Sequence, residues 1–152
     1  MASPQPVIRI QREDFDLAAE IARLSGDGVG AVATFTGICR DEAGRLAALE
    51  LEHYPGMAEA EIGRIAIDAA ERWPLLGLTI IHRIGLIRPG ENIVLVAAAS
   101  THRQAAFQAA EFLMDYMKSR APFWKKEHLA DGSSGSWVEA RETDEEAVAR
   151  WR

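Results

Sequence analysis

The chain is organised around one stretch, residues 100 to 126, which reads STHRQAAFQAAEFLMDYMKSRAPFWKK. Apolar residues recur at helical spacing as far as Lys118 and Arg120, and Pro122 then predicts the end of the helix, because proline cannot continue the hydrogen-bond ladder. Cations stand at both ends of this predicted helix. In a chain with a formal net charge of −6, such clustering predicts a local site for an anionic ligand.

Length and composition indicate a single globular domain. The chain has 152 residues, of which 48% are hydrophobic and 26% charged, which is enough apolar material for a core. The longest wholly apolar run, residues 93 to 99, is too short to span a bilayer, and the N-terminus lacks the pattern of a secretory signal. We therefore expect a cytoplasmic protein in which residues 1–6 form a disordered leader and residues 7–152 form one domain.

Cysteine and histidine usage argues against a metal site. Cys39 is the only cysteine, so no internal disulfide can form, and the four histidines show no metal-ligand spacing with it. Beside Arg40 a thiolate could be stabilised, but lone cysteines are more often small buried hydrophobes, and we favour that interpretation. Arg40 is the better candidate for contact with a ligand. A pI near 5.2 argues against general nucleic-acid binding.

Strand and helix patterns alternate along the chain. Strand patterns occur at residues 7–11, 29–39, 46–54, 78–84 and 92–99. Helices are predicted after Asp14, as an N-cap, and between Pro55-Gly56 and Pro74. We expect the second and third strands to form a hairpin, and the strand at 92–99, which is apolar on both faces, to be central.

The C-terminal part continues the alternation. Residues 123–129 and 137–140 are predicted to form a second hairpin, and Thr143 with Glu146 makes a capping-box pattern for a short terminal helix. Helices interleaved with hairpins predict an α+β fold with a largely antiparallel or mixed sheet.

The start of the central helix offers an anion site. Free backbone N–H groups and the positive end of the helix dipole would attract a phosphate or carboxylate at Ser100-Thr101-His102-Arg103. Alternatively, Thr101 only caps the helix while both cations are solvated. This tetrapeptide alone favours the second interpretation, and the cations at the far end of the helix shift the balance toward the first.

Lysines mark the other end of the helix. Lys118 stands among apolar neighbours and could act as nucleophile, acid or base, or it could only complement the negative end of the helix dipole. If residues 123–129 are extended, Lys125 shares a face with Phe123, and Lys126 lies on the opposite face. Only one of these two lysines can then face a given pocket, and we expect it to be Lys125.

Eight segments match, in order, the motifs of one protein family: TFTGICR (34–40), LELEHYPGM (49–57), RWP (72–74), IHRIG (81–85), RPGE (88–91), STHR (100–103), MDYMKSRAPFWKKE (114–127) and WVEARE (137–142). They resemble the large, catalytic subunit of molybdopterin synthase over nearly the whole chain. The length of these motifs makes chance similarity an inadequate explanation.

The resemblance implies an α/β-hammerhead fold and a sulfurtransferase of molybdenum cofactor biosynthesis. Such an enzyme converts cyclic pyranopterin monophosphate to molybdopterin. The sulfur arrives as a C-terminal Gly-Gly thiocarboxylate on a small ubiquitin-like subunit. The resemblance further implies a heterotetramer with two large subunits at its centre, and no redox metal or other cofactor.

Site residues follow from the resemblance by motif. The catalytic positions are Lys118 and Lys125. The substrate-contacting positions are Ile38, Cys39, Arg40, His102, Arg103, Lys118, Lys125, Lys126, Glu127 and Arg141. Ile38 and Cys39 occupy a variable pair, so any contact is expected from their backbone. Because His102 and Lys118 would lie ~24 Å apart on an unbroken helix, we expect each site to be shared between two large subunits.

Three alternatives stay open at this point. A binding module would use the cations only to hold an anion or an acidic peptide, and a structural partner subunit would bind no pterin. The nearest enzyme alternative is a different pterin-phosphate transferase.

Overall fold

The computed structural model describes residues 5–140 and 145–152, without the side chains of Glu145 and Glu146. Its elements, in chain order, are β1 (Val7–Gln11), α1 (Leu17–Leu24), β2 (Ala31–Ile38), β3 (Leu46–His53), α2 (Met57–Arg72), β4 (Leu75–Arg83), β5 (Gly85–Ile87), β6 (Asn92–Ser100), α3 (Arg103–Arg120), β7 (Phe123–Leu129), β8 (Val138–Glu139) and α4 (Glu145–Ala149). The predicted α+β class is confirmed.

The first sheet forms the centre of the molecule, with strand order β1-β4-β6-β2. Only the β1–β4 pair in it is parallel. β6 lies between two neighbours, as its apolar sequence predicted. Its residues Val94 and Val96 pack under α2 and α3, while Leu95 and Ala97 on the opposite face pack against Phe15 and α1. Both faces are therefore covered.

The second sheet has the order β5-β3-β7-β8 and is antiparallel throughout. The predicted hairpin of β2 and β3 is wrong, because β2 pairs with β6 while β3 pairs with β5 and β7. The connecting chain leaves the first sheet at Cys39, whose N–H donates to the Glu91 carbonyl (2.8 Å) and whose carbonyl accepts from Gly90 (2.8 Å). These bonds direct the chain toward the second sheet.

Local features account for the other differences. α1 is capped by Asp16, whose carboxylate accepts from the Ala19 N–H, and not by Asp14 as predicted. Asp14 instead accepts from the Phe15 N–H (2.7 Å) and from the Asn92 side chain (2.9 Å). β5 was not predicted, since its three residues are too few to show a strand period. The predicted β7–β8 hairpin is confirmed.

α3 runs back from the end of β6, so its last turns lie over the first residues of that strand. The C-terminal residues hold α3 from outside: the Trp151 ring packs edge-on against Phe112 (5.6 Å between centroids) and Trp73 (5.6 Å). The Trp151 indole N–H also donates to Asp115 Oδ2 (2.6 Å).

Some predictions fall on residues that are not described. Residues 1–4 of the predicted leader, and Thr143 of the predicted capping box, lie outside the described ranges. Among the helices that are described, none is both long and apolar enough to cross a membrane.

Candidate active site

A cavity of about 490 Å³ lies where the two sheets meet the end of α3. Its volume falls in the range of small-molecule sites. Its wall is formed by the loop 39–45, the strands β3 and β7, the adjoining ends of β4 and β6, the last turns of α3 and the end of β8. Leu51, Val94, Met114, Met117 and Phe123 form much of its apolar surface. Such a surface suits the flat face of a ring system.

Four cations line this cavity: Arg40, Arg45, Lys118 and Lys125. Three carboxylates, Glu42, Glu127 and Glu139, line it as well. Over the residues that the structure describes, the lining is therefore cationic by one charge within an acidic chain, and its arginines and lysines can donate to phosphate or carboxylate oxygens.

The two catalytic lysines of the sequence prediction come to this cavity from different elements. Lys118 is exposed in the last turn of α3, where the cation also complements the negative end of the helix dipole. Lys125 comes from β7, where Phe123, Glu127 and Leu129 line the cavity beside it. β7 enters the sheet directly after Pro122, so the helix end and the strand start are held close together.

The alternation of β7 separates the two adjacent lysines. Lys126 does not line the cavity. Its ammonium lies 5.7 Å from the centre of the Trp137 ring, on the opposite face of the strand. Contact between Lys126 and a substrate stays a prediction from the resemblance alone.

The end of β2 and the loop after it carry three predicted site residues, Ile38, Cys39 and Arg40, and one of them is exposed to solvent at the cavity. The Arg40 side chain is 83% exposed and pairs with Glu42 (3.3 Å). Ile38 is exposed but does not line the cavity. Cys39 lines it while being 2% exposed, and its Sγ lies 3.8 Å from the Ile87 carbonyl oxygen. Burial, assisted by the charges of Glu91 and Asp41, raises the pKa of the Cys39 thiol, so the thiol is protonated at neutral pH.

His102 and Arg103 lie at the opposite end of α3. Both are exposed, with His102 at the N-cap position, and the helix between them and Lys118 is unbroken. At 1.5 Å per residue, the two ends are ~24 Å apart. A single chain therefore does not bring His102 and Arg103 to its own cavity. Arg141 lies outside the described residues.

Four of the described polar residues that line the cavity were missed by the sequence analysis: Glu42, Arg45, His82 and Glu139. Arg45 directly follows the polar segment 40–44, and nothing in its neighbours distinguished it from a solvated arginine. His82 was quoted only within a matching segment. Its alternation with the buried Ile80 on β4 was the available signal, since that spacing places both on the α3 side of the sheet.

His82 is held by two contacts at the wall of the cavity. Its ring stacks on Phe123 at 3.8 Å between centroids and 12° between planes, and its Nδ1 lies 2.8 Å from the Arg83 carbonyl oxygen. Burial lowers the pKa of His82 to about 4, and the positive charges of Lys118 and His53 act in the same direction, against the hydrogen bond to Arg83. His82 is therefore neutral at pH 7.

Metal ligands are not grouped in the part of the chain that the structure describes. There, no cluster of three or more His, Cys, Asp or Glu side chains could hold a metal ion.

The fold and the cavity define an α+β protein with a small-molecule-sized cavity that combines an apolar wall with side chains able to bind an anion. Comparison with known proteins gives the family, since residues 10–120 match the family model described as MoaE protein. The chain belongs to the MoaE family.

Individual relatives agree with this assignment. A molybdopterin synthase catalytic subunit from Mesorhizobium japonicum is 73% identical over 97% of this chain and 94% of its own length. The solved structure of a molybdopterin biosynthesis MoaE protein from Burkholderia ambifaria is 50% identical, with a TM-score of 0.85 over 96% of this chain and 97% of that one. A molybdopterin synthase structure from Staphylococcus aureus gives a TM-score of 0.77 at 32% identity, covering 85% of this chain and 94% of that one.

Proposed function

We propose that the chain is the catalytic subunit of a molybdopterin synthase, a sulfurtransferase that converts cyclic pyranopterin monophosphate to molybdopterin. The observation that carries the proposal is the meeting of Lys118 and Lys125 at one cavity with an apolar wall. The names of the relatives, which match over nearly the whole chain, support the same reaction.

The sulfur donor in this proposal is a small ubiquitin-like subunit with a C-terminal Gly-Gly thiocarboxylate. Its terminal group is an anion, as is the cyclic phosphate of the substrate. A cavity with four cations can therefore serve both partners of the reaction. We place the reaction in the cytoplasm, which agrees with a lone, protonated cysteine.

The side chains that line the cavity have different proposed roles, according to their positions. Arg40, exposed at the cavity, would hold the phosphate, and Arg45 would assist it. Lys118 would meet the thiocarboxylate and stabilise the negative charge that moves during sulfur transfer, while Lys125 adds positive charge beside it. Glu127 would contact the substrate from the same strand face as Lys125.

Each active site would be shared between two large subunits at the centre of a heterotetramer. Lys118, Lys125 and Arg40 would come from one subunit, and His102 with Arg103 from the other. Exposed apolar side chains support such pairing. Phe107, 64% exposed, lies one turn after Arg103, and Phe35 and Ile38 are exposed on β2, which is an edge strand of its sheet.

Subunit exchange tests the sharing. Lys118→Ala and His102→Ala proteins are each assayed alone and then mixed under conditions where exchange is demonstrated. A mixed pair would contain one intact site, so activity should rise above that of either variant. If exchange is proven and no activity returns, the sites are not shared.

Product formation tests the reaction itself. The purified chain is combined with thiocarboxylated small subunit and cyclic pyranopterin monophosphate, and dithiolene product is followed by the fluorescence of its oxidised form. We expect product from wild type and at least ~100-fold less from Lys118→Ala, as for removal of one charge-stabilising donor. Lack of product from wild type, beside a competent control enzyme, would reject the proposal.

One further variant and one stability measurement separate the alternatives. A binding module should tolerate Lys118→Arg, which keeps the charge, whereas an enzyme that uses the amine should not. A structural partner subunit should gain nothing from the pterin. A chain that binds the pterin should gain about 2.7 kcal/mol of unfolding free energy at 100 times the Kd.

A further inference from the structure

His82 lines the cavity, but neither the family resemblance nor the roles proposed for Lys118 and Lys125 assign it a function. It comes from β4 in the first sheet, whereas Lys125 comes from β7 in the second. Its imidazole stacks on Phe123, which closes one side of the ring plane. The edge of the ring, which carries Nε2, and the opposite face remain to meet a ligand.

The hydrogen bond to the backbone fixes the tautomer of this ring. A carbonyl oxygen can only accept, so Nδ1 carries the proton that is donated to Arg83 at 2.8 Å. In the neutral imidazole, Nε2 is then a lone-pair acceptor. The stack on Phe123 and the Nδ1 bond together hold this acceptor in a single orientation.

Nε2 is also accessible. Within the described residues no buried side-chain nitrogen or oxygen lacks a hydrogen-bond partner, and the ring of His82 makes its hydrogen bond through Nδ1. An unpaired Nε2 must therefore reach solvent, and the open space beside His82 is the cavity. Among the described residues, the other charged side chains there are four cations, which can only donate, and three carboxylates, which accept with a negative charge. His82 adds an acceptor that carries no charge.

We propose that His82 is a substrate-binding residue whose Nε2 accepts a hydrogen bond from an N–H group of the heteroaromatic substrate. The inference rests on the proposed function, because a pterin carries ring N–H and amino donors on the edge of a flat bicycle. Phosphate contacts would fix one end of the substrate, and His82 would recognise the donor edge of its ring system. A ring with acceptors alone on that edge would lose this bond.

The depressed basicity of His82 supports this assignment. With a pKa of about 4, the imidazole keeps its Nε2 lone pair throughout the neutral range. A protonated ring could only donate and would repel Lys118. The packing that holds the His82 ring against Phe123 thus also keeps Nε2 unprotonated and able to accept a hydrogen bond.

The test compares two substitutions of His82. His82→Gln keeps an oxygen acceptor within reach of the Nε2 position, whereas His82→Phe keeps a flat ring against Phe123 and removes the acceptor. His53→Phe is the matched control, because His53 belongs to the same stack (6.4 Å from Phe123) but does not line the cavity. Binding of cyclic pyranopterin monophosphate is measured by titration without the small subunit, and KM and kcat are measured in the complete reaction.

We expect His82→Phe to weaken substrate binding and raise KM about tenfold or more, as for loss of one specific hydrogen bond. His82→Gln and His53→Phe should stay within about threefold of wild type. Unfolding midpoints of all variants are recorded, so that a folding defect is recognised and the binding is measured on the folded fraction.

Three results would overturn the inference. The first is unchanged substrate binding in His82→Phe, and the second is an equal loss of substrate affinity in His82→Gln and His82→Phe. The third is a fall in kcat with unchanged binding, which would mean that His82 acts only through Lys118. Failure of wild type to bind the pterin is a different outcome, because it rejects the proposed function as well.

Discussion

At the scale of single residues, burial decides which chemistry is open to a side chain. Cys39 lies beside Arg40 in the sequence, where an arginine could have stabilised a thiolate. In the fold the thiol turns inward toward Leu51 and Ile87, while the arginine turns to solvent. We therefore expect sulfur transfer at this cavity to proceed without the Cys39 thiol.

We predict that Cys39→Ala retains most of the sulfur-transfer activity, within about fivefold of wild type, since a protonated and buried thiol is not a nucleophile. Stability should fall by about 1 kcal/mol for the small cavity left behind. The measurement is product formation beside denaturant unfolding. Activity as low as that of Lys118→Ala would show that the thiol takes part.

We predict a pH dependence of stability from His82. Its folded pKa lies near 4 and its unfolded pKa near 6.5, so the unfolded state binds the proton first as the pH falls. The stabilising contribution is complete above pH 6.5 and is lost as the pH falls toward 4. Because solvent reaches the ring edge, we expect about 1–2 kcal/mol of loss between pH 7 and pH 5.

The check is chemical denaturation at both pH values for wild type and His82→Phe. The variant has no imidazole at this position, so its loss of stability over that interval should be smaller by about the same amount. Parallel curves for the two proteins would contradict a depressed pKa.

At the scale of elements, α3 depends on residues far from it in the sequence. Trp151, 31 residues after Arg120, packs on Phe112 and bonds to Asp115, and Arg150 also donates to Asp115 (2.6 Å). The helix that carries Lys118 is thus held by the sheet on one side and by the C-terminal residues on the other.

We predict that Trp151→Ala lowers the free energy of unfolding by about 2–3 kcal/mol, because it removes a partly buried indole and its hydrogen bond. Trp137→Ala is the matched control, since that indole is 43% exposed and contacts the Lys126 side chain. We expect it to cost under about 1 kcal/mol. Equal losses of unfolding free energy in the two variants, measured by denaturant unfolding, would refute the proposal that Trp151 stabilises α3.

Elements whose pattern is local were predicted well, and pairings that depend on distant residues were not. The apolar period of residues 103–120 and the alternation of residues 123–129 indicated α3 and β7, and with them the separation of Lys125 from Lys126. The β2–β3 pairing failed because a backbone contact with residues 90 and 91 diverts the chain at Cys39. Short sequence windows contain no trace of that contact.

The same limit applies to the site. Lys118 and Lys125 come together across a proline turn, which the sequence makes visible. His82 joins them from a strand that precedes α3 by some twenty residues, and only the order of the strands brings it to the cavity. Its motif match marked the segment, but the motif did not say which side chain lines the cavity.

At the scale of the whole molecule, charge is unevenly distributed. The chain has a formal net charge of −6, while its cavity is lined by four cations and three carboxylates. An anionic substrate is repelled by the net charge of the chain and attracted by the cations at the cavity. Such a field favours entry at the cavity over non-specific binding elsewhere.

We predict that substrate affinity weakens several-fold when salt is raised from about 50 to about 500 mM, because the cavity cations are screened. Arg45→Gln should show weaker binding and a shallower salt dependence. Arg64→Gln is the control, since Arg64 is exposed on α2 and paired with Glu61. Titration calorimetry at several salt concentrations measures both slopes. Identical slopes for the Arg45 and Arg64 variants would remove Arg45 from the site.

The length of α3 has a consequence for inheritance when two versions of the protein are made in one cell. Because the proposed sharing assigns its two cationic ends to different sites, a chain that carries both Lys118→Ala and His102→Ala is expected to inactivate both sites of any pair that it enters. Activity would then fall with the square of the wild-type fraction, whereas a chain with Lys118→Ala alone would reduce it in proportion. The two substitutions would therefore act dominantly when one chain carries both of them. They would complement each other when each is carried by a different chain.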